Sequence, residues 1–234
     1  MKHRKLLCLL ALLILFFTAC QPTPPETAEI DENPAFYREW YEILKINNQV
    51  LFDNYRYAIN EITPTLDSEA AEQIIYKTDK TVITAMKEKS FFELQKVIHP
   101  VKGVRISCYN EASTEDVVLM SDELLSNRSY VWGYRAGEGS EIEMSFAELF
   151  DTFLWNKEYS QYAPTYNPVK LSDSHSQARG NEYIFYDKCI VVLYLYEGSD
   201  EWVQMDWSGL KLIYQEHLDG NWYLTGIIHC EREM

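Results

Sequence analysis

Residues 210–229, LKLIYQEHLDGNWYLTGIIH, decide the fold. Two strongly β-forming runs flank a turn signal, Asp219-Gly220, so they read as an antiparallel hairpin. With a two-residue loop, Leu212 pairs with Ile227 and each face mixes apolar and polar residues. With a three-residue loop, Leu218-Asp219-Gly220, His217 pairs with Asn221 and Gly220 takes the left-handed position. Leu210, Leu212, Tyr214, Trp222, Leu224, Ile228 and Cys230 then share one face, and Lys211, Gln215, His217, Tyr223, Thr225 and His229 the other. A clean half-buried face fixes register, so the three-residue loop is expected. His217 and His229 are then expected to point away from the core.

Upstream, residues 104–109, 130–134 and 183–197 read as further strands, beside 209–217 and 222–231 of the hairpin. Gly137 and Gly139 mark a turn, and residues 121–125 suggest a helical turn. Ser145 and Glu148 form a capping-box pattern that opens a helix running to about Trp155. Residues 156–181 read as a long surface loop. Before the strands the pattern is helical. Asp67 or Ser68 caps a helix with Ile74, Ile75, Thr78, Val82, Ala85 and Met86 on its inner face. Ser90 and Glu93 open a short one that runs through Ile98. Asn33-Pro34 starts a long helix whose apolar face runs from Phe36 and Trp40 to Ile62, ended by Thr63-Pro64. Helices first and an antiparallel meander last imply an α+β fold, N-terminal helices packed on one face of a curved, mostly antiparallel sheet.

The chain has 234 residues, 21 basic and 36 acidic, for a formal net charge of −15. Its 47% apolar content excludes general disorder. Lys2, Arg4 and Lys5 precede an apolar run at residues 6–17, short of the roughly 20 residues that span a bilayer but suited to a signal-peptide core. Phe17-Thr18-Ala19-Cys20 then resembles the bacterial lipobox, with Phe17 where an aliphatic residue is usual. That resemblance implies cleavage before Cys20, diacylation of its thiol, and a lipid anchor on the extracytoplasmic face of the cell membrane. An ordinary signal peptide cut elsewhere, or an N-terminal anchor, are the alternatives. The expected organisation is a signal peptide at 1–19, lipidated Cys20 with a Pro-rich tether to 33, a helical extension at 34–66 and an α+β domain at 67–234. The mature chain would carry a net charge of −18, which argues against nucleic acid as a partner. Besides Cys20 it keeps Cys108, Cys189 and Cys230, which permit at most one disulfide within the monomer.

SFFELQKVIHPVKGVRISCY at 90–109, followed by the final hairpin, resembles the helix-to-first-strand passage and last hairpin of NTF2-like (cystatin-like) proteins. The whole chain is also similar to uncharacterised bacterial lipoproteins with such an ectodomain. The likeness covers about residues 68–231 and implies a cone formed by sheet and helices, open at one end. An NTF2-like enzyme of the isomerase, dehydratase or hydrolase kind would place an acid or histidine there. By resemblance the candidates are His99 or Tyr109, with Glu148 or Asp151 as carboxylate partner. Placed at the end of a helix, His99 can equally serve only the helix dipole.

No H-E-x-x-H, G-x-S-x-G, Walker or EF-hand pattern occurs, so neither metal nor cofactor is expected. Aromatic residues are the better lead, since the mature chain keeps 31 of the 33. Trp132, Tyr134, Trp155 and Trp207 are the candidate ligand-binding residues. At ~100° per residue Trp155 falls opposite the inner stripe of its helix, near Glu148 and Asp151. The expected function is a surface-anchored binding module for a small apolar or sugar-like ligand or a protein partner. The competing expectations are the enzyme and a domain that forms a homodimer through the outer sheet face.

Overall fold

The computed structural model describes residues 66–135, 137–168, 181–199 and 206–231. The readings of signal peptide, Cys20, tether and N-terminal helix lie outside these residues.

Helix α1 (Ser68–Lys87) starts where the sequence places it, because Asp67 Oδ1 accepts the Ala70 amide at 2.8 Å. Its inner stripe is Ala71, Ile75, Asp79, Val82 and Met86. Ile74, expected inside, is 44% exposed. A carboxylate takes the place in the stripe because two tyrosine hydroxyls below it supply donors. Helix α2 (Phe91–Leu94) runs into a 3₁₀ turn, Gln95–Val97. The expected capping box does not form there: the Ser90 side chain makes no capping bond, and Glu93 pairs with Lys96 at 2.6 Å.

Among the described residues eight strands follow: β1 (Val104–Ser107), β2 (Val117–Leu119), β3 (Ser129–Tyr134), β4 (Glu141–Ser145), β5 (Thr165–Tyr166), β6 (Ile190–Tyr196), β7 (Ser208–Glu216) and β8 (Trp222–Glu231). Six make an open sheet in the order β2-β1-β8-β7-β6-β5, antiparallel except for β1 beside β8. The fold is thus α+β on a mixed, mostly antiparallel sheet, and β3–β4 forms a separate hairpin. Strands β2, β4 and β5 are not expected from the sequence; β2 and β5 have only three and two residues. Residues 183–189, read as the start of a strand, instead form helix α4 (Glu182–Phe185) and a turn before β6. Helix α3 (Phe146–Leu149) opens with the Ser145–Glu148 capping box and continues as a π turn, Phe150–Leu154.

The final hairpin combines both registers weighed from sequence. At the turn the His217 amide donates to Asn221 O at 2.8 Å and Gly220 has φ +78°, as the three-residue loop requires. Tyr214 pairs with Leu224, but Ile213 then pairs with Gly226, so Thr225 is an extra, bulged residue. Beyond it Leu212 pairs with Ile227, the register of the shorter loop. The expected faces of β8 are therefore exchanged past the bulge. Ile227 and His229 join Leu210 and Leu212 in the main core, while Ile228 and Cys230 join Ile213 on the outer face. The expectation failed because it assumed one solvated face, and here both are buried.

The inner face carries the main core beneath α1, α2 and α3. The outer face, which sequence left open for a second copy, is covered by the chain's own Tyr183, Phe185, Tyr186 and Trp207. Lys211 and Glu182 form a buried ion pair there at 3.1 Å. Arg105 donates to Ser113 O at 2.7 Å and lies 4.8 Å from the Phe185 ring centroid.

The three described cysteines are free thiols, and burial pushes them up to about 12 (Cys108), 12 (Cys189) and 11 (Cys230). Cys108 faces the main core and the other two the outer layer. Cys189 precedes Ile190, the partner of Tyr214, whereas Cys230 pairs with Gly209. Five residues of β7 separate those positions by ~16 Å, too far for a bridge that spans about 4.4–6.8 Å between Cα atoms.

Candidate ligand-binding site

Of the four acid–base candidates, His99 and Tyr109 flank opposite ends of β1 while Glu148 and Asp151 share α3 and its π turn, and each has structural partners. His99 Nδ1 accepts the backbone amides of Val101 at 3.2 Å and Lys102 at 3.0 Å. Its ring meets His217 edge-on beside the β7–β8 turn. Burial above all, with the Lys102 charge, lowers its pKa to about 4, so it is neutral at physiological pH. Tyr109 follows the other end of β1. Its hydroxyl donates to Tyr134 O at 2.7 Å and accepts the Tyr134 amide at 2.9 Å, tying β3 to β1. Glu148 is consumed by the capping box, and Asp151 pairs with Lys89 at 2.6 Å on the surface.

Among the aromatic candidates, Trp132 is core, with its indole N–H donating to Met144 O at 2.8 Å. Trp207 is buried in the outer layer. Tyr134 is 57% exposed on the β3 surface. Trp155 does not project opposite the inner stripe. The π turn inserts one residue into the helical repeat, with the Trp155 amide donating to Phe150 O, and this swings the indole inward. The ring is half-buried, stacked on Phe150 at 5.9 Å and meeting Tyr159 edge-on at 5.6 Å.

That rotation delivers Trp155 to the one end of the inner sheet face where polar groups gather. Ser208 of β7 lies between Tyr196 of β6 and Glu231 of β8, forming a cross-strand row. Leu210 lies between Tyr194 and His229 in the next row inward. The Ser208 hydroxyl lies 2.6 Å from Tyr159 OH, 3.2 Å from Asn156 Oδ1 and 3.1 Å from His229 Nε2. Tyr159 OH donates to Asn156 Oδ1 at 2.7 Å. Tyr159, Ser208 and His229 are buried, whereas Asn156 is exposed.

Proton counting orders this chain. The two shortest contacts both involve the Tyr159 oxygen, and each needs one proton. Tyr159 gives its own to Asn156, so Ser208 must give its own to Tyr159. His229 Nε2 is then the donor to Ser208, and Nδ1 is a bare acceptor, buried with no partner among the described residues. Burial lowers the His229 pKa to about 4. Ser, His and Glu here do not form a nucleophilic triad. Glu231 Oε2 approaches the same Nε2, at 3.9 Å, rather than orienting the ring through Nδ1.

Around this chain stand half-buried rings. Tyr162 and Tyr196 are 5.8 Å apart, and Lys157 Nζ lies 4.3 Å from the Tyr196 ring centroid. Tyr196 OH donates to Asp206 Oδ2 at 3.1 Å. The Ser199 amide also donates to Asp206, and these bonds hold its carboxyl below the usual range. Tyr162 and Tyr196 are not among the ligand-binding candidates from sequence, and Asn156, Ser208 and His229 carry no motif; only the bulge brings His229 to this face.

A second polar group is sealed in the core. Asp79 accepts from Tyr194 OH at 2.5 Å and Tyr214 OH at 2.8 Å, and burial raises its pKa despite those bonds. No group of three or more His, Cys, Asp or Glu able to hold a metal occurs among the described residues. Likewise no helix there is long and apolar enough to cross a membrane.

The site defines a class, an α+β domain with an aromatic and hydrogen-bonding surface at one end of its sheet. Comparison with protein-family models, curated proteins and solved structures returned no match.

Proposed function

We propose that the chain is an extracytoplasmic lipoprotein, anchored through diacylated Cys20, whose NTF2-like domain binds a sugar-like ligand at the Trp155–Tyr196 end of the sheet. One observation carries this reading: half-buried Trp155, Tyr162 and Tyr196, with Glu231, each neighbour Tyr159 or Ser208, the two buried hydroxyls that lie against the exposed Asn156 amide. A saccharide offers apolar C–H faces to aromatic rings and hydroxyls to amide and carboxylate groups, the mixture found there. The separation of His99, Tyr109 and Asp151 weighs toward binding rather than catalysis. The helix-then-sheet order and the final hairpin support the NTF2-like reading, and the basic head, short apolar run and Cys20 support the anchor.

Titrating the full chain in detergent micelles with cellotriose and with the β-1,4-linked N-acetylglucosamine trimer, read by tryptophan fluorescence, tests the site. Trp155→Ala and Tyr196→Ala are each expected to weaken binding about tenfold or more, as central aromatic anchors do. Wild-type affinity in both variants, or no binding of either sugar to the wild type at millimolar concentration, contradicts it. The intact mass of the same preparation should begin at diacylated Cys20; an unmodified N-terminus refutes the anchor.

A further inference from the structure

Asn156 differs from every other group at this site because one half of its amide is committed and the other is not. Its Oδ1 receives Tyr159 OH at 2.7 Å, and the Ser208 oxygen, whose proton goes to Tyr159, lies 3.2 Å away. Those hydroxyls are themselves fixed, Tyr159 within the core and Ser208 against His229 Nε2. With the oxygen of this exposed amide bonded to the buried Tyr159 hydroxyl, Nδ2 lies on the opposite side of the group, toward solvent. Nδ2 has no hydrogen-bond partner among the described residues and presents fixed donors at the surface. Such a preorganised donor costs little entropy on binding.

We propose that Asn156 Nδ2 is the donor of a subsite for an N-acylated amino sugar, with Trp155 and Tyr196 flanking it. This rests on the sugar reading above and narrows it. The ligand group that fits a fixed N–H donor is a strong acceptor, and an acetamido carbonyl is stronger than a sugar hydroxyl. Its own N–H then needs an acceptor, which the half-exposed Glu231 carboxylate in the Ser208 row supplies. Tyr159, Ser208 and His229 are positioning residues: they touch Asn156 or one another and set the direction in which Nδ2 points.

Asn156→Asp tests the assignment in the full chain. The carboxylate keeps an acceptor for Tyr159 OH but removes the outward donor. It is expected to bind the N-acetylglucosamine trimer about tenfold more weakly than the wild type, which is ~1.4 kcal/mol, and to lose less affinity for cellotriose than for the trimer. Equal binding of the trimer by both proteins overturns the subsite while leaving the sugar reading intact. Binding of neither sugar by the wild type overturns both. A second measurement needs no variant: the Asn156 side-chain amide signals in an ¹⁵N spectrum of the full chain should move further with the trimer than with cellotriose. Signals unmoved by the trimer, or moved equally by both sugars, overturn the proposal even if Asn156→Asp fails to fold.

Discussion

A β carbon at Gly226 would stand 2.6 Å from the Tyr186 hydroxyl oxygen and 3.0 Å from Ile213 Cδ1. The bare backbone lets the Tyr186 ring lie on the outer face of β8, next to the bulge that turns His229 inward. Gly226→Ala is therefore expected to destabilise the protein by about 1–3 kcal/mol, the usual cost of overpacking. Tyr186 OH is buried with no partner among the described residues, so Tyr186→Phe alone should cost little. Combined with Gly226→Ala it should restore part of the loss, because the nearest clashing atom is gone. Urea midpoints of the two single variants and the double variant decide this; strict additivity would mean the contact is not the cause. Sequence named Trp155 at the site but could not name Asn156, Ser208 or His229. A lone Asn, Ser or His has no spacing to betray it. Register placed His229 on the wrong face, and only a one-residue bulge, with Thr225 Oγ1 bonded to Ile213 O at 3.2 Å, corrects that.

Strand β3 and its hairpin partner β4 stand outside the six-stranded sheet, and Tyr109 joins them to the end of β1. Its hydroxyl makes two bonds with the Tyr134 backbone, and Gly133, at φ +139°, would place a β carbon 2.5 Å from that oxygen. Tyr109→Phe removes both bonds and is expected to cost about 1–2 kcal/mol. Faster hydrogen exchange should be confined to the Tyr134 amide and its neighbours in β3 and β4; unchanged exchange there would show that packing, not the hydroxyl, holds the hairpin. At this scale the long patterns in the sequence were legible: helix α1, the hairpin β7–β8, strand β1 and the capping box at Ser145. Short elements were not. Strand β5 has two residues, the π turn is an irregularity within an apparently regular helical pattern, and α4 lies in a stretch as rich in β-forming residues as the strand it precedes.

Across the whole molecule the buried titratable groups pull in opposite directions with pH. His99 and His229 have folded pKa values near 4, below their ordinary 6.5. Their neutral forms are stable in the fold, so each contributes stability above pH 6.5 that is lost as pH falls toward 4, on the order of 3 kcal/mol. Asp116, raised by burial to about 6, acts oppositely, contributing stability at low pH that is lost as pH rises through 6. Asp79 and Glu231, also raised by burial, share its sign. The histidine contribution is therefore read by difference: His229→Gln should flatten the loss of stability between pH 6.5 and 4 relative to wild type. An unchanged slope would mean that His229 protonates within the fold. The overall class was legible in the order of helices and strands, whereas coverage of the outer face was not, because α4 and Tyr186 reach it from a segment read as strand. The most direct test of a sugar site at the sheet end is an ¹⁵N spectrum of the full chain titrated with the N-acetylglucosamine trimer. Shifts should concentrate at the Trp155 indole, the Asn156 side-chain amide and the backbone amides of Tyr196 and Ser208. Shifts centred elsewhere, or none at millimolar sugar, would contradict it.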